Sequence, residues 1–393
     1  MAKYLKCDFS CMKELMQKKY LELFGNASEL IVRSPGRINI IGEHTDYNDG
    51  FVLPAAIDKA VYIAVGKRTD NEIHLHAVDF DESFHCVLSE VKPMPHHWAT
   101  YVLGVVHQFR KKGWHLNGFN AVIASDLPVG AGLSSSAALE CAVALAVNEL
   151  FQCGLDKFTM VQMAQMAEHE FAGVQCGIMD MFASMMGKEN HCIQLDCRSL
   201  AYAYVPLQLN EYELVLLNTN VKHSLASSAY NSRRNECARG VEMVQQQFPQ
   251  VNALRDVTET ILDACVLPFE PLIDQRCRYV VKEIKRLQQA TIDLQNGDLK
   301  ALGKKMFETH DGLSRDYEVS CKELDFLVSK MRLQPAVLGA RMMGGGFGGC
   351  TINIIHKDHL EKMIAEVKQA YEAEMNLPLG IINVNTANGT AIL

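Results

Sequence analysis

Residues 128–138 read Pro-Val-Gly-Ala-Gly-Leu-Ser-Ser-Ser-Ala-Ala, two spaced glycines and three serines opening a breaker-free apolar helix over 137–150. Gly130 and Gly132 can adopt positive φ and let the backbone approach an anion closely. Ser134, Ser135 and Ser136 add hydroxyls, and the free N–H groups of a helix start add positive partial charge. A phosphate chain asks for this combination. Taken alone, so does a tight turn of small residues packed on a strand. A second run, Gly344, Gly345, Gly346, Gly348 and Gly349, precedes a strand-like stretch, Thr-Ile-Asn-Ile-Ile. It spells G-x-G-x-x-G, but that dinucleotide fingerprint must follow a strand and open a helix, so a dinucleotide fold is excluded. So much backbone freedom costs folding entropy, which points to a loop that must come very close to something, such as a transferring phosphoryl group.

No G-x-x-x-x-G-K-[ST] occurs, and residues 128–138 contain no lysine, which excludes a P-loop. Phosphate charge must then be met by Mg²⁺, by backbone dipoles and by an arginine from elsewhere, with Arg37 the best candidate. Residues 43–49, Glu-His-Thr-Asp-Tyr-Asn-Asp, crowd three carboxylates behind an apolar run. Such a cluster can accept hydrogen bonds from sugar hydroxyls, ligate a metal, or simply form a polar turn. Asp180 follows Ile178 and Met179 and precedes Met181, apolar company in which a carboxyl needs a partner. A cation such as Arg37 would be that partner and leave the carboxylate able to receive a proton. Glu168 lies near the end of a preceding helical stretch and could meet the serine loop, where a carboxylate plus a hydroxyl suits magnesium. His74, His76, His96 and His97 read as surface or strand-face histidines with no assigned role.

These residues need strands and helices to hold them. Helical spacing marks residues 11–24, 98–110, 157–171 and 276–289, and strand-like runs fall at 30–32, 38–42, 61–65, 73–78, 121–124 and 212–217. Strands and helices mix without a regular βαβ period, so an α+β fold fits better than a doubly wound sheet. At 393 residues the chain calls for two domains, with a junction near residues 212–217. The net charge of −8 disfavours a nucleic-acid surface. No apolar stretch approaches the ~18 residues of a membrane span, and residues 1–10 hold no signal-like apolar core, so cytoplasm is expected. Thirteen cysteines without a C-x-x-C pair read mostly as reduced thiols.

Taken together, the segments S-P-G-R-I-N-I-I-G-E-H-T-D-Y at 34–47, P-V-G-A-G-L-S-S-S-A at 128–137 and G-G-G-F-G-G-C at 344–350 resemble the GHMP kinase superfamily. The first of them, with C-G-I-M-D at 176–180, L-D-C-R-S-L at 195–200 and S-S-A-Y-N-S-R-R at 227–234, is more narrowly similar to the galactokinase family. The resemblance runs from about residue 34 to residue 349. It implies a two-domain α+β fold with the site in the cleft between domains. Residues 1–207 would form the N-terminal domain with the sugar signature and ATP loop. Residues 208–393 would form the C-terminal domain with the third motif, the last strand free to return to the first.

The activity implied is ATP-dependent phosphorylation of α-D-galactose at O1, the first committed step of galactose catabolism, with Mg²⁺ as cofactor and the protein acting as a monomer. By motif position Asp180 and Arg37 would be catalytic. Arg37, Glu43, His44, Thr45, Asp46, Gly177, Asp180 and Tyr230 would bind the sugar. Trp98, Gly130, Ala131, Gly132, Leu133, Ser134, Ser135, Ser136, Gly345 and Gly346 would bind ATP, and Ser136 and Glu168 would hold the metal. Met181 stands where the family usually has Gln, and Met343 where it usually has Thr. One rival reading is a kinase for another sugar. Another is a sugar- and ATP-binding sensor without catalysis, a class whose members lack part of the serine–alanine loop that is complete here.

Overall fold

The apolar run at residues 30–32 and the start of the run at 38–42 belong to one strand, Leu30–Asn39, buried from Ile31 onward in the computed structural model, which describes residues 9–95, 97–128, 130–221 and 226–393; residues 40–42 lie past its end. His96 and Val129 of the sequence reading lie outside the described residues. The strand pairs antiparallel with Pro54–Lys67, and its register shifts between Pro35 and Arg37. Proline lacks the N–H that a ladder needs, so the irregularity falls there. Gly36 has no room for a side chain, because a Cβ would stand 2.7 Å from the Leu133 carbonyl oxygen. The serine loop is thereby brought against the strand that carries Arg37.

Six strands form the first sheet, in the order Ala391–Ile392, Leu30–Asn39, Pro54–Lys67, Phe119–Ser125, Glu72–Ala77, Glu82–Val87. Neighbours are antiparallel except the Glu72–Ala77 and Phe119–Ser125 pair. Along Pro54–Lys67 side chains alternate between faces. Val61, Ile63 and Val65 enter the main core, and Tyr62 and Ala64 pack with Met12, Met16 and Tyr20 of the helix Phe9–Phe24. The main core is filled by the helices Ala99–Lys111, Ser135–Leu150, Lys157–Ala167 and Met179–Met186. Ser135–Leu150 is buried on nearly all sides, as a helix apolar all round should be. A small sheet, Phe51–Val52, His191–Asp196 and Tyr202–Pro206, completes this half.

The second half is built on an antiparallel sheet ordered Val337–Met342, Cys350–His356, Tyr212–Asn218, Gly380–Val384. The helices Lys322–Arg332 and Leu360–Met375 pack on it through Leu327, Val328, Met331, Met363 and Val367. The long helix Pro271–Gln295 joins the halves: Tyr279 and Val280 lie in a second-half core, while Leu287, Ala290 and Leu294 enter the main one. After residue 384 the chain returns to pair Ala391–Ile392 with Leu30–Asn39. Among the described residues no helix is long and apolar enough to cross a membrane. Among the described residues eleven cysteines are free, and Cys11 is disulfide-bonded.

Candidate active site

Arg37, leaving the bulge of its strand, meets Asp180 in the first turn of the helix Met179–Met186. Its Nε donates to Oδ1 at 2.8 Å and its Nη2 to Oδ2 at 3.0 Å, a two-pronged ion pair. Burial works against the guanidinium charge, but Asp180 and Glu43 outweigh it and raise the Arg37 pKa. Nη1 donates to the Gly132 carbonyl at 2.5 Å, tying the pair to the serine loop. Ser134 adds a third bond to Asp180, Oγ to Oδ2 at 2.5 Å. It sits at φ 57°, in left-handed backbone, as N-cap of Ser135–Leu150 and makes no side-chain cap bond. The N–H groups of that helix start are thus left for another acceptor.

A cavity of about 250 Å³ opens beside this pair. Its lining includes Arg37, Glu43, His44, Asp46, Glu168, Gly177, Asp180, Tyr230, Gly345 and Gly346, so both halves of the chain contribute. Gly177 is needed for Asp46: a Cβ would lie 1.8 Å from Oδ2. Burial, and then the Asp180 charge, push the Asp46 carboxyl up to about 7. Burial lowers the His44 pKa to about 4, so its ring is neutral at physiological pH. His44 Nδ1 is 2.7 Å from the Tyr47 hydroxyl, which is 2.9 Å from that of Tyr317, while the buried Nε2 has no hydrogen-bond partner among the described residues. The ring of Tyr230 stands 5.4 Å from that of His44.

Ser136 Oγ donates to Glu168 Oε1 at 3.1 Å. Glu168 opens a π-helical turn, Glu168–Ala172, and burial together with the Asp180 charge pushes its carboxyl up to about 7. Glu140, one turn beyond Ser136, is fully buried beside Glu168, and burial and the Glu168 charge hold its carboxyl well above the usual range. Glu168 thus feels the Asp180 charge and, more weakly, that of Arg37, and a divalent cation would favour its ionised form. Among the described residues no group of three or more His, Cys, Asp or Glu could hold a metal alone. A cation beside Ser136 and Glu168 would complete its shell with phosphate and water oxygens, as magnesium does.

Several expected site residues stand elsewhere. Thr45 requires correction: it is fully buried, and its hydroxyl is directed to the Gly42 and Phe51 carbonyls at 2.9 and 2.6 Å, bracing the turn. Gly130 to Ser136 flank the cavity rather than line it, with Ala131 and Leu133 anchored in the core. Trp98 also lies outside the lining, stacked on His97, its buried Nε1 without a partner among the described residues. The second glycine run does make close approaches, and at two positions these are to protein backbone. A Cβ on Gly346 would be 2.1 Å from the Val319 oxygen, and one on Gly348 2.8 Å from the Val221 oxygen. Met181 and Met343 are buried core side chains outside the cavity lining. Tyr317 and Arg341 are contributors that residue spacing did not single out, and Ser134, expected at the phosphates, bonds Asp180.

Residues 18–67 match the galactokinase galactose-binding signature, residues 100–188 the GHMP kinases N terminal domain, and residues 290–373 the GHMP kinases C terminal family. The galactokinase of Thermotoga neapolitana is 40% identical over 358 residues, 91% of this chain and 98% of the relative. The chain belongs to the galactokinase family. The galactokinase of Clostridium acetobutylicum is 38% identical over 380 residues, 95% of this chain and 97% of its own. The crystal structure of Lactococcus lactis galactokinase complexed with galactose superposes with a TM-score of 0.93 at 34% identity, covering 97% of this chain and all of that one. The fold is therefore the two-domain GHMP kinase fold.

Proposed function

We propose that this chain transfers the γ-phosphoryl group of ATP to O1 of α-D-galactose, giving α-D-galactose 1-phosphate. The observation that carries the reading is the two-pronged Arg37–Asp180 pair in a cavity shared by the sugar signature and the second glycine run. In this mechanism O1 attacks the γ-phosphorus in line. The O1–P bond forms as the bond from phosphorus to the β–γ bridging oxygen breaks, and Asp180 takes the O1 proton. Both Asp180 oxygens are held by Arg37, and Oδ2 also by Ser134, so the acceptor is fixed where the proton leaves. Arg37 stays charged and offsets the negative charge on the transferring group.

Glu43, His44, Asp46 and Tyr230 would hold the sugar hydroxyls, with Gly177 making room for Asp46. The open Nε2 of His44 is suited to a hydroxyl partner. The unengaged N–H groups and serines at the start of Ser135–Leu150 would take the ATP phosphates, Gly345 and Gly346 would close over them, and Trp98 would lie on the base side. Mg²⁺ would be held by Ser136 and Glu168, and when bound it neutralises phosphate charge during transfer. We place the enzyme, as a monomer, in the cytoplasm, whose reducing conditions suit the free cysteines. Asp180→Asn should bind galactose and ATP as the unaltered protein does but lose roughly 10²–10⁴-fold in kcat. Near-normal turnover would remove Asp180 from its role.

A further inference from the structure

Glu43 lines the cavity, yet one of its oxygens is already spoken for three times. Oε1 accepts Nη1 and Nη2 of Arg341, both at 3.1 Å, and the Gly344 N–H at 2.8 Å. No hydrogen bond reaches Oε2 from the described residues, and that oxygen remains for a ligand. Arg341 is fully buried at the end of the strand Val337–Met342. Its Nε donates to the Ile40 carbonyl at 2.8 Å, Nη1 to the Met342 carbonyl at 2.6 Å, and Nη2 also to the Asn39 carbonyl. One guanidinium thus holds the end of the Arg37-bearing strand, the carboxylate of Glu43 and, through it, the first peptide of the second glycine run. Arg341 touches no reacting atom.

Resting on the sugar-phosphorylating function proposed above, we infer that Arg341 is a positioning residue for sugar recognition, fixing Glu43 so that Oε2 is presented to a galactose hydroxyl. The serine loop is anchored separately, by the Arg37–Gly132 bond and by Ala131 and Leu133 in the core. The second glycine run also keeps its own anchors, Met343 N–H to the Cys350 carbonyl at 3.0 Å and Phe347 N–H to the Val319 carbonyl at 2.7 Å, so loss of Arg341 acts on the sugar first and on the nucleotide less. Lysine has one donor centre and cannot reproduce the fork.

The test is calorimetric binding of galactose and, separately, of ADP with magnesium, on the full chain and on Arg341→Met, Arg341→Lys, Glu43→Gln and the Arg341→Met/Glu43→Gln double variant. Galactose affinity should fall about tenfold or more in Arg341→Met, the size of a lost charge-assisted bond. Nucleotide affinity should change less than about threefold. The two losses should be non-additive, so that Arg341→Met costs little more once Glu43 is glutamine. If Arg341→Met does not fold, Arg341→Lys decides by the same split between ligands. Unchanged galactose affinity, equal losses for both ligands, or additive losses would overturn the inference. Failure of the unaltered protein to bind galactose would overturn the functional reading and this inference with it. Binding by that protein and equally by the Arg341 variants would overturn this inference alone.

Discussion

At the scale of residues, the site is a set of acids kept apart from water and balanced by few cations. Asp46 shows the consequence. Its carboxyl is pushed up to about 7 from an ordinary 3.8. Between those values the native state holds a proton that the unfolded chain has released, so this group makes stability fall as pH rises from about 4 to 7. Asp46→Asn abolishes that dependence. The ligand-free variant should gain in Tm over the unaltered protein across that window, with the difference level above about pH 7; parallel melting curves from pH 4.5 to 8.5 would contradict the burial of Asp46 described here. Asp180, Arg37, His44 and Glu168, each singled out from a run whose chemistry is local, line one cavity. The sequence could not separate Thr45 from a ligand, since a hydroxyl in that run looks the same whether it faces a sugar or two carbonyls. Nor could it pair Glu43 with Arg341, 298 positions away.

At the scale of elements, loops do the placing and buried helices and strands hold the loops. The breaker-free helix read over 137–150 was plain in the sequence and is observed as Ser135–Leu150, and positive φ at Gly130 and Gly132 was plain too. The pair of strands His191–Asp196 and Tyr202–Pro206 was not, because each is short and rests on pairing with its neighbours rather than on pattern. The second glycine run was legible as a close approach, but not the identity of what it approaches. Its contact with Val319 gives a prediction. Gly346 has φ 87° and a backbone oxygen where Cβ would go, whereas Gly130 has φ 77° and open space. Gly346→Ala should therefore cost clearly more stability than Gly130→Ala, which should lose only the roughly 1–2 kcal/mol of left-handed strain. Urea unfolding of the two variants checks this, and equal losses would mean that the run can move off Val319.

At the scale of the whole molecule, the second half grips the sugar signature of the first. Tyr279 Oη donates to the Glu43 carbonyl, Glu283 accepts the Gly42 N–H at 3.0 Å, and Arg341 holds Glu43 itself. Farther out, Arg255 pairs with Asp196 and Arg198 with Asp256 across the halves, while within the first half Arg198 reaches Asp49 at 3.1 Å. Partly exposed pairs of this kind contribute modest stability each; their effect is to fix orientation between the halves. The two-domain α+β architecture was readable from length and mixed elements. The bridging role of Pro271–Gln295 was not, because its helical pattern does not say which core each turn enters. The central claim, that this arrangement phosphorylates galactose at O1, is tested most directly by magnesium- and ATP-dependent turnover. Galactose, 2-deoxygalactose, N-acetylgalactosamine, glucose, talose and arabinose would be compared, with the product position read by phosphorus NMR. The predicted result is fast conversion of galactose, alone or with 2-deoxygalactose, to the 1-phosphate. Galactose and ATP bound without turnover on any sugar, or phosphate arriving at another hydroxyl, would contradict it.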